Sequence, residues 1–552
     1  MGLDKLVYIP SVGTDALYSP EEKAIHERLL KLYHARMKQD VNYFDKPDKK
    51  TKKRRKAKPW EKQPWKKACY NRLIKKEKDK LTALLDENVK STKPRVLDSS
   101  LICTKTTVSL FESALTRALG IKTWNFSKDL IILNVFFFQV FESAVKYGFM
   151  LDGEKYIFLT ASAGQIRTKR ALFIRETAYQ PIEKRMMCGL TVEHINELGG
   201  MNPNKYAAYL ALNNSATEIW EDFNIDKSIV VDDWETDVGG EVDYIDDVTY
   251  EIKHQYTNTT IPHMDGCGIM LDGPTRMCRM PWVKGLLVQF PYDEFIKEKC
   301  DGHGIVVDIY GQEHDVIAED IRYIFTKSQF KLWKFYSSWE EYKTYFKQYG
   351  CEACYCNIEE KYIRRSKINY QMLQTLSDMT DGEIARLVKE TNHEIEEIGH
   401  DFQTTMKLLG AVPENSGLSY FQQALMIYPE LFRDYYCRDI LKQTKLSLVK
   451  QAKGGRLRVN GKYLFLSPDL YAFCEWLFLG DMNPRGLLEN GEVYCNAYAD
   501  NDELACLRSP HLYREWAVRK NKRNEETDRW LGGTKCVYTS CHDLISRYLM
   551  FD

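Results

Sequence analysis

Lys284 is followed by Gly285 and then by Leu286, Leu287 and Val288, so a cation stands at the mouth of an apolar strand. Burying that charge without a partner is costly. Two arrangements avoid the cost. A ligand phosphate can pair with the ammonium group, or the stem can lie along the strand while the head reaches water. Residue types alone favour the second. The surrounding stretch, residues 261–289, reads as short strands joined by tight turns. Asp265 precedes Gly266 and Gly268, which flank Cys267; Gly273-Pro274 marks a second turn, and Met280-Pro281-Trp282-Val283 leads into the lysine. Glycines at such places admit positive φ or the close approach of another backbone.

Other residues offer chemistry of the same kind. Gln165, Arg167, Lys169 and Arg170 lie in a turn between apolar strands expected at 156–160 and 171–174. They form either a set of donors for a nucleic-acid backbone or a plain polar hairpin tip. Lys327, Ser328 and Lys331 follow the apolar pair Ile324-Phe325, and Arg508, Pro510 and Arg514 share the run CLRSPHLYR. Cys351, Cys354 and Cys356 have zinc-like spacing, but a structural zinc needs four ligands. No second CxxC or HxxxH lies nearby, so three thiols are expected. Residues 221–251 hold 12 acidic residues against Lys227 alone. Hard cations take such oxygen ligands, but EF-hand spacing is missing. The run reads as a solvated loop with possible strands at 230–231 and 242–245.

The elements that must position these residues belong to a chain of 552 residues, long enough for two or three domains. Apolar residues make up 44% and charged residues 28%, ordinary values for a globular protein. Net charge is zero, which excludes a basic field over the whole molecule. The charge is segregated: residues 46–80 carry 17 Lys/Arg against four acidic residues, with Trp60 and Trp65 among them. That block fits either phosphate contacts with base stacking or a disordered linker. Fifteen cysteines without a signal peptide point to a reducing cytosol. The longest apolar run, 130–141, is too short to span a bilayer. Ser19, Pro20 and Glu22 start a helix. Further helices are expected over 106–119 and 127–147, through most of 181–223, and over 364–453, where Thr380 and Glu383 form a capping box. Asp152-Gly153 and Asn460-Gly461 are read as two-residue hairpin turns. The expected fold class is α+β and multidomain: a basic amino-terminal region (1–100), a helical and hairpin region (101–225), a first β module bearing the lysines (226–350), a helical connector (351–453) and a second β module (454–552).

Taken in order, the motifs resemble the cellular RNA-dependent RNA polymerases of RNA silencing, and more closely their relatives, the phage single-subunit RNA polymerases of the YonO type. The matches are D-G-x-G at Asp265, Gly266 and Gly268 with the K-G strand at Lys284; F-L-x-x-S-x-S-Q-x-R at Phe158, Leu159, Ser162, Gln165 and Arg167, departing at Ala163-Gly164; and S-M-x-K at Ser328 and Lys331, with Gln329 for methionine and Lys327 as a rival. G-x-L-x-x-G-x-V matches Gly486, Leu488, Gly491 and Val493. R-x-P-x-L-H-R matches Arg508, Pro510, Leu512 and Arg514, with Tyr513 for histidine. A terminal strand runs to Asp552, where a D-x-D-G-D motif would begin.

The resemblance implies two double-psi β-barrels separated by long helices, and nucleotidyl transfer from NTPs to RNA on a DNA template. Lys284 and Lys331 would face the triphosphate and Arg508 the nucleotide sugar, with Pro510, Arg514, Gln165 and Arg167 as further substrate contacts. Asp552 would be a ligand of catalytic Mg2+. Implied partners are template DNA, product RNA and NTPs, with no membrane, for a monomeric enzyme in a bacterial host's cytoplasm. An RNA template is the first alternative, and a non-catalytic nucleic-acid-binding protein the second. Because the metal motif is met only at its first aspartate, this chain is expected to be an inactive amino-terminal piece of a longer polymerase.

Overall fold

The computed structural model describes residues 5–39, 64–135, 137–162, 164–165, 168–246, 248–360, 363, 365–368, 370–415, 418–508 and 516–543. The chain divides into two compact units, one of residues 6–186 and 199–215, the other of 1–5, 187–198 and 216–552. Both mix helices with sheets.

The first unit is built on seven strands: β1 (Leu6–Gly13), β2 (Arg95–Val96), β3 (Thr107–Phe111), β4 (Leu130–Asn134), β5 (Phe149–Leu151), β6 (Glu154–Thr160) and β7 (Arg170–Arg175), in the order β2-β5-β6-β7-β4-β1-β3. Ser19 caps the helix Pro20–Met37 in a capping box with Glu22, as the sequence predicts. Asp152 and Gly153 both have positive φ and join β5 to β6 in a two-residue hairpin, also as expected. Two expected helices are different. Residues 107–111 form β3, and 130–134 form β4, so helix is confined to Ala114–Ala118 and Phe138–Tyr147. Leu130, Ile131, Ile132 and Leu133 are all buried, with β4 lying between β1 and β7. A short apolar run has no periodicity that separates buried strand from buried helix, and pairing with neighbours decides.

Residues 64–80 are no disordered linker. They lie in the helix Pro64–Asn88, whose Ile74, Leu81 and Leu85 enter the same core as Leu29 of the first helix. Residues 46–63 of the basic block lie outside the described residues.

The second unit holds β8 (Glu218–Ile219), β9 (Ser228–Val231), β10 (Glu235–Ile245), β11 (Ile252–Pro262), β12 (Cys267–Met270), β13 (Arg276–Met280), β14 (Val283–Gln289), β15 (Ile305–Val307), β16 (Glu313–Asp315), β17 (Tyr323–Thr326), β18 (Cys354–Ile358), β19 (Arg365–Lys367), β20 (Arg458–Lys462), β21 (Leu466–Pro468), β22 (Glu492–Tyr494), β23 (Glu503–Leu507), β24 (Trp516–Asn521) and β25 (Val537–Thr539). One sheet of seven strands runs β8-β18-β13-β14-β12-β17-β9, and one of five runs β21-β25-β22-β24-β23. Ile269, Val288, Phe290 and Phe295 from the first sheet's region share a core with Leu470, Phe473, Tyr494, Trp530 and Tyr538 from the second's. The β modules are therefore apart in sequence but packed together in space. Of the acidic stretch, residues 228–231 form the buried β9, and 235–245 form β10 of an exposed two-stranded ribbon, paired with β11 over eleven residues each.

The helical excursion contains Asp381–Glu397, Phe402–Leu409 and Tyr435–Lys453. Thr380 and Glu383 do form the capping box that starts it. The expected Asn460-Gly461 hairpin is absent. β20 runs straight through both residues and pairs with β19, Arg365 opposite Lys462. Neither residue takes the positive φ that a type I′ turn requires. Arg458 instead anchors the strand, its guanidinium bonded to Glu394 and to the Arg365 carbonyl.

Candidate functional site

The strands of the seven-stranded sheet bring the central motif and the 324–331 motif to one place. Met264 accepts a hydrogen bond from the Cys267 N–H at 2.9 Å, closing a turn over Asp265 and Gly266, both of positive φ. β12 leaves that turn alongside β14, so Leu286 lies opposite Cys267. The crossing is tight. A Cβ on Gly285 would strike the Gly266 carbonyl and the Gln329 amide; one on Gly268 would press on the Ile324 carbonyl and lie 2.6 Å from Gln329 Oε1. Only glycine fits either position without displacing backbone.

Pro281 and Trp282 turn β13 into β14, and Trp282 takes φ of 64° although it is bulky and wholly buried. Such a conformation persists only where the surroundings hold it. Here the indole donates to the Met187 carbonyl at 2.8 Å, while the Trp282 carbonyl accepts the Lys331 N–H at 2.8 Å. Val283 bridges to Phe330 in antiparallel sense. Lys284 and Lys331 therefore occupy diagonal positions across that bridge, the relation in which two side chains share a face.

A hydrogen-bond chain fixes the Lys331 loop. Ser328 donates to Asp233 from its N–H (2.8 Å) and its hydroxyl (2.7 Å), and its Oγ accepts the Gly266 N–H at 2.9 Å. Gln329 donates to the Leu286 carbonyl and accepts from the Thr326 N–H. Lys331 Nζ donates to the Ser328 carbonyl. The rival cation is engaged elsewhere: Lys327 Nζ lies 2.9 Å from Asp232 and over the Trp333 ring.

Electrostatics tie these groups together. Burial pushes the Asp265 carboxyl up, against the pull of Arg508, Lys331 and Lys284. Arg508 follows β23 from the five-stranded sheet, and its Nη2 lies 3.8 Å from Asp265. Burial lowers the Lys284 pKa, and neighbouring Arg279 lowers it further. Lys331 is lowered by burial and then by Lys284. Two guanidinium nitrogens at the site, Arg279 Nε and Arg508 Nη1, are buried without a hydrogen-bond partner among the described residues. Buried charged donors left unsatisfied are costly, and a bound oxyanion would satisfy them. The arrangement can hold a polyanion.

Lys284, Lys331, Asp265, Gly266, Gly268 and Arg508 thus come together. Gln165 belongs to the other unit, where its Oε1 accepts the Ser162 N–H at 2.8 Å within its own turn. Arg167, Pro510, Arg514 and Asp552 lie outside the described residues. Asp233 and Arg279 were invisible as site residues in sequence. One sits in an acidic run and the other in an apolar strand, and only strand register shows their placement. Among the described residues no group of three or more His, Cys, Asp or Glu could hold a metal ion. Among the described residues, therefore, neither an Mg2+ site nor a zinc site at Cys351, Cys354 and Cys356 is shown. All fifteen cysteines carry thiols. No described helix is long and apolar enough to cross a membrane.

Two known groups of proteins are similar to this chain. A family model described as RNA dependent RNA polymerase matches residues 116–518. DNA-directed RNA polymerase YonO of Bacillus phage SPbeta is 43% identical over 555 residues, a match covering 100% of this chain and 63% of the phage protein. The chain thus spans less than two thirds of that relative's length. With the family model matching most of this chain's residues, and the phage polymerase similar over the whole of this chain but not of its own length, the chain belongs to the RNA dependent RNA polymerase family.

Proposed function

We propose that this chain carries the nucleotide site of a DNA-directed RNA polymerase, which transfers nucleotidyl groups from NTPs to a growing RNA. The observation that carries the reading is the convergence of Lys284 and Lys331 with Arg508 from the second sheet. Fixed cations aimed at a triphosphate stabilise the charge that builds as the α-phosphate is attacked, at no cost in reorganisation. Arg508, across from the lysines, is the residue to meet the sugar. The printed name of the phage relative supports a DNA template. To the same proposal belong the finer description of the sheets as two double-psi β-barrels, the five-region division given above, and contacts by Gln165, Arg167, Pro510 and Arg514. So do template DNA, product RNA, a monomeric state, a bacterial cytoplasm and an Mg2+ requirement, for which no described residue is assigned.

The description of the matched family favours a second reading, an RNA template. One experiment separates the readings. Labelled NTPs are supplied with DNA or RNA templates to a polymerase that joins this chain to a D-x-D-G-D metal motif, and ATP binding is measured in parallel on this chain as wild type, Lys284→Ala and Lys331→Ala. RNA made on DNA, with ATP binding lost in both variants, is the expected result. Synthesis on RNA alone transfers the function to the second reading. ATP binding indifferent to both lysines would overturn the nucleotide site and leave nucleic-acid binding without catalysis.

A further inference from the structure

We propose that Arg279 is a third cation of this triphosphate site, resting on the reading just given. β13 pairs with β14 so that Arg279 stands directly opposite Lys284. Side chains directly opposite in an antiparallel pair share a face, and like charges there repel. The alternation of β13 agrees: Arg276, Cys278 and Met280 are buried, while Met277 and Arg279 are half-buried on the other face.

The two arginines of β13 differ in what holds them. The Arg276 guanidinium lies 4.1 Å from the Trp220 ring centre and 5.3 Å from that of Tyr355, and its Nε donates to the Pro274 carbonyl. That is a packed, structural arginine. Arg279 donates from Nη1 to the carbonyl of its neighbour Cys278 at 2.7 Å, but its Nε is buried with no partner among the described residues. A fold has no structural reason to set two cations opposite each other and leave a buried donor of one of them unsatisfied. An oxyanion supplies the missing acceptor and removes the repulsion at once. With Lys284 and Lys331 on the same face, the ligand that fits is one with several charged oxygens, the triphosphate of an NTP. A nucleic-acid phosphodiester shares the chemistry but offers one charge per unit.

The test uses Arg279→Gln and Arg279→Lys in the whole chain, with ATP and a single-stranded oligonucleotide as probes and thermal unfolding without ligand as control. The expected result for Arg279→Gln is ATP affinity lower by about tenfold or more, the scale of one charge-assisted hydrogen bond. Its melting temperature should be unchanged or higher, because a repelling, unsatisfied cation has gone. Arg279→Lys should recover part of the ATP affinity. A lower melting temperature accompanying the loss of binding would show a structural arginine and overturn the proposal. So would loss of oligonucleotide binding with ATP binding intact. Unchanged ATP affinity in Arg279→Gln alongside a loss in Lys284→Ala would overturn this inference alone. Unchanged affinity in both would overturn the nucleotide site beneath it.

Discussion

Asp233 accepts two hydrogen bonds from Ser328, one from the backbone N–H and one from the hydroxyl, which in turn accepts from Gly266. The carboxylate therefore joins the loop that carries Lys331 to the turn that carries Asp265. Burial pushes the Asp233 carboxyl up, while its bonds to Ser328 pull the other way. Two effects of Asp233→Asn have opposite signs. Charge alone would favour an approaching triphosphate once the carboxylate is neutral. Loss of the clamp would misplace Lys331 and weaken binding. The clamp is expected to win, lowering ATP affinity by about tenfold, one hydrogen bond to a charged group. Ser328→Ala should do the same, and the double variant should be little worse, since both changes break one link. Tighter ATP binding by Asp233→Asn would show that the charge, and not the position, matters.

Gly285→Ala is expected to destabilise the fold by about 1–3 kcal/mol, the usual range for overpacking. The new methyl would meet the Gly266 backbone carbonyl, which cannot rotate away as a side chain tip can. Gly382→Ala is the control, because nothing lies within 4 Å of its added Cβ. It should be neutral or stabilising by up to ~1 kcal/mol as helix propensity improves. Urea denaturation of the two variants measures the difference. Equal stability would mean the strands cross less closely than described.

The central stretch was singled out by its glycines and its lysine, but its role came from the family resemblance, since residue types alone favour a Lys284 whose head reaches water. Gly268 and Gly285 mark a tight crossing and Gly266 a turn of positive φ, and a lysine before an apolar strand is conspicuous in any chain. Asp233 and Arg279 were not legible because an aspartate among twelve acids and an arginine in a strand have bland explanations that only strand pairing removes. The misread elements share a cause. The run 130–133 is apolar on every side, and Asn460-Gly461 is a turn signal overridden by pairing of β20 with β19, nearly a hundred residues upstream. Local signals fail where partners distant in sequence decide the conformation.

Glu22 is wholly buried and accepts from both Arg95 guanidinium nitrogens, from Asn88 and from the Ser19 N–H. Burial alone would raise its pKa, but these partners hold it below the ordinary value. A carboxyl depressed in the folded state gives stability above its unfolded pKa of about 4.3 and loses it as pH falls through the folded value. Glu22→Gln should cost about 3–5 kcal/mol near neutral pH by leaving Arg95 buried and unpaired. The gap from wild type should narrow as the medium is acidified below about pH 4. A gap independent of pH would show that the pair adds nothing through its charge.

The basic block of residues 46–80 is expected to hold template or product by its phosphates. Of the described part, the helix Pro64–Asn88 turns Ile74, Leu81 and Leu85 inward, while Lys66 lies over the Trp65 ring and Trp65 is exposed. Oligonucleotide binding should be indifferent to sequence and fall steeply with salt. Reversing Lys66, Lys67, Lys75 and Lys76 to glutamate should weaken binding and flatten the salt slope. An unchanged slope would leave the block without a nucleic-acid role.

A nucleotide site here requires that Lys284 and Lys331 share one triphosphate. ATP affinity measured by calorimetry for the wild type, Lys284→Ala, Lys331→Ala and the double variant tests this directly. Each single change is expected to lower affinity roughly 10–100-fold, the range for a charge-assisted contact. The double variant should lose less than the product of the two, since both ammonium groups act on one ligand. ATP binding that survives in the double variant at the wild-type affinity would contradict the account.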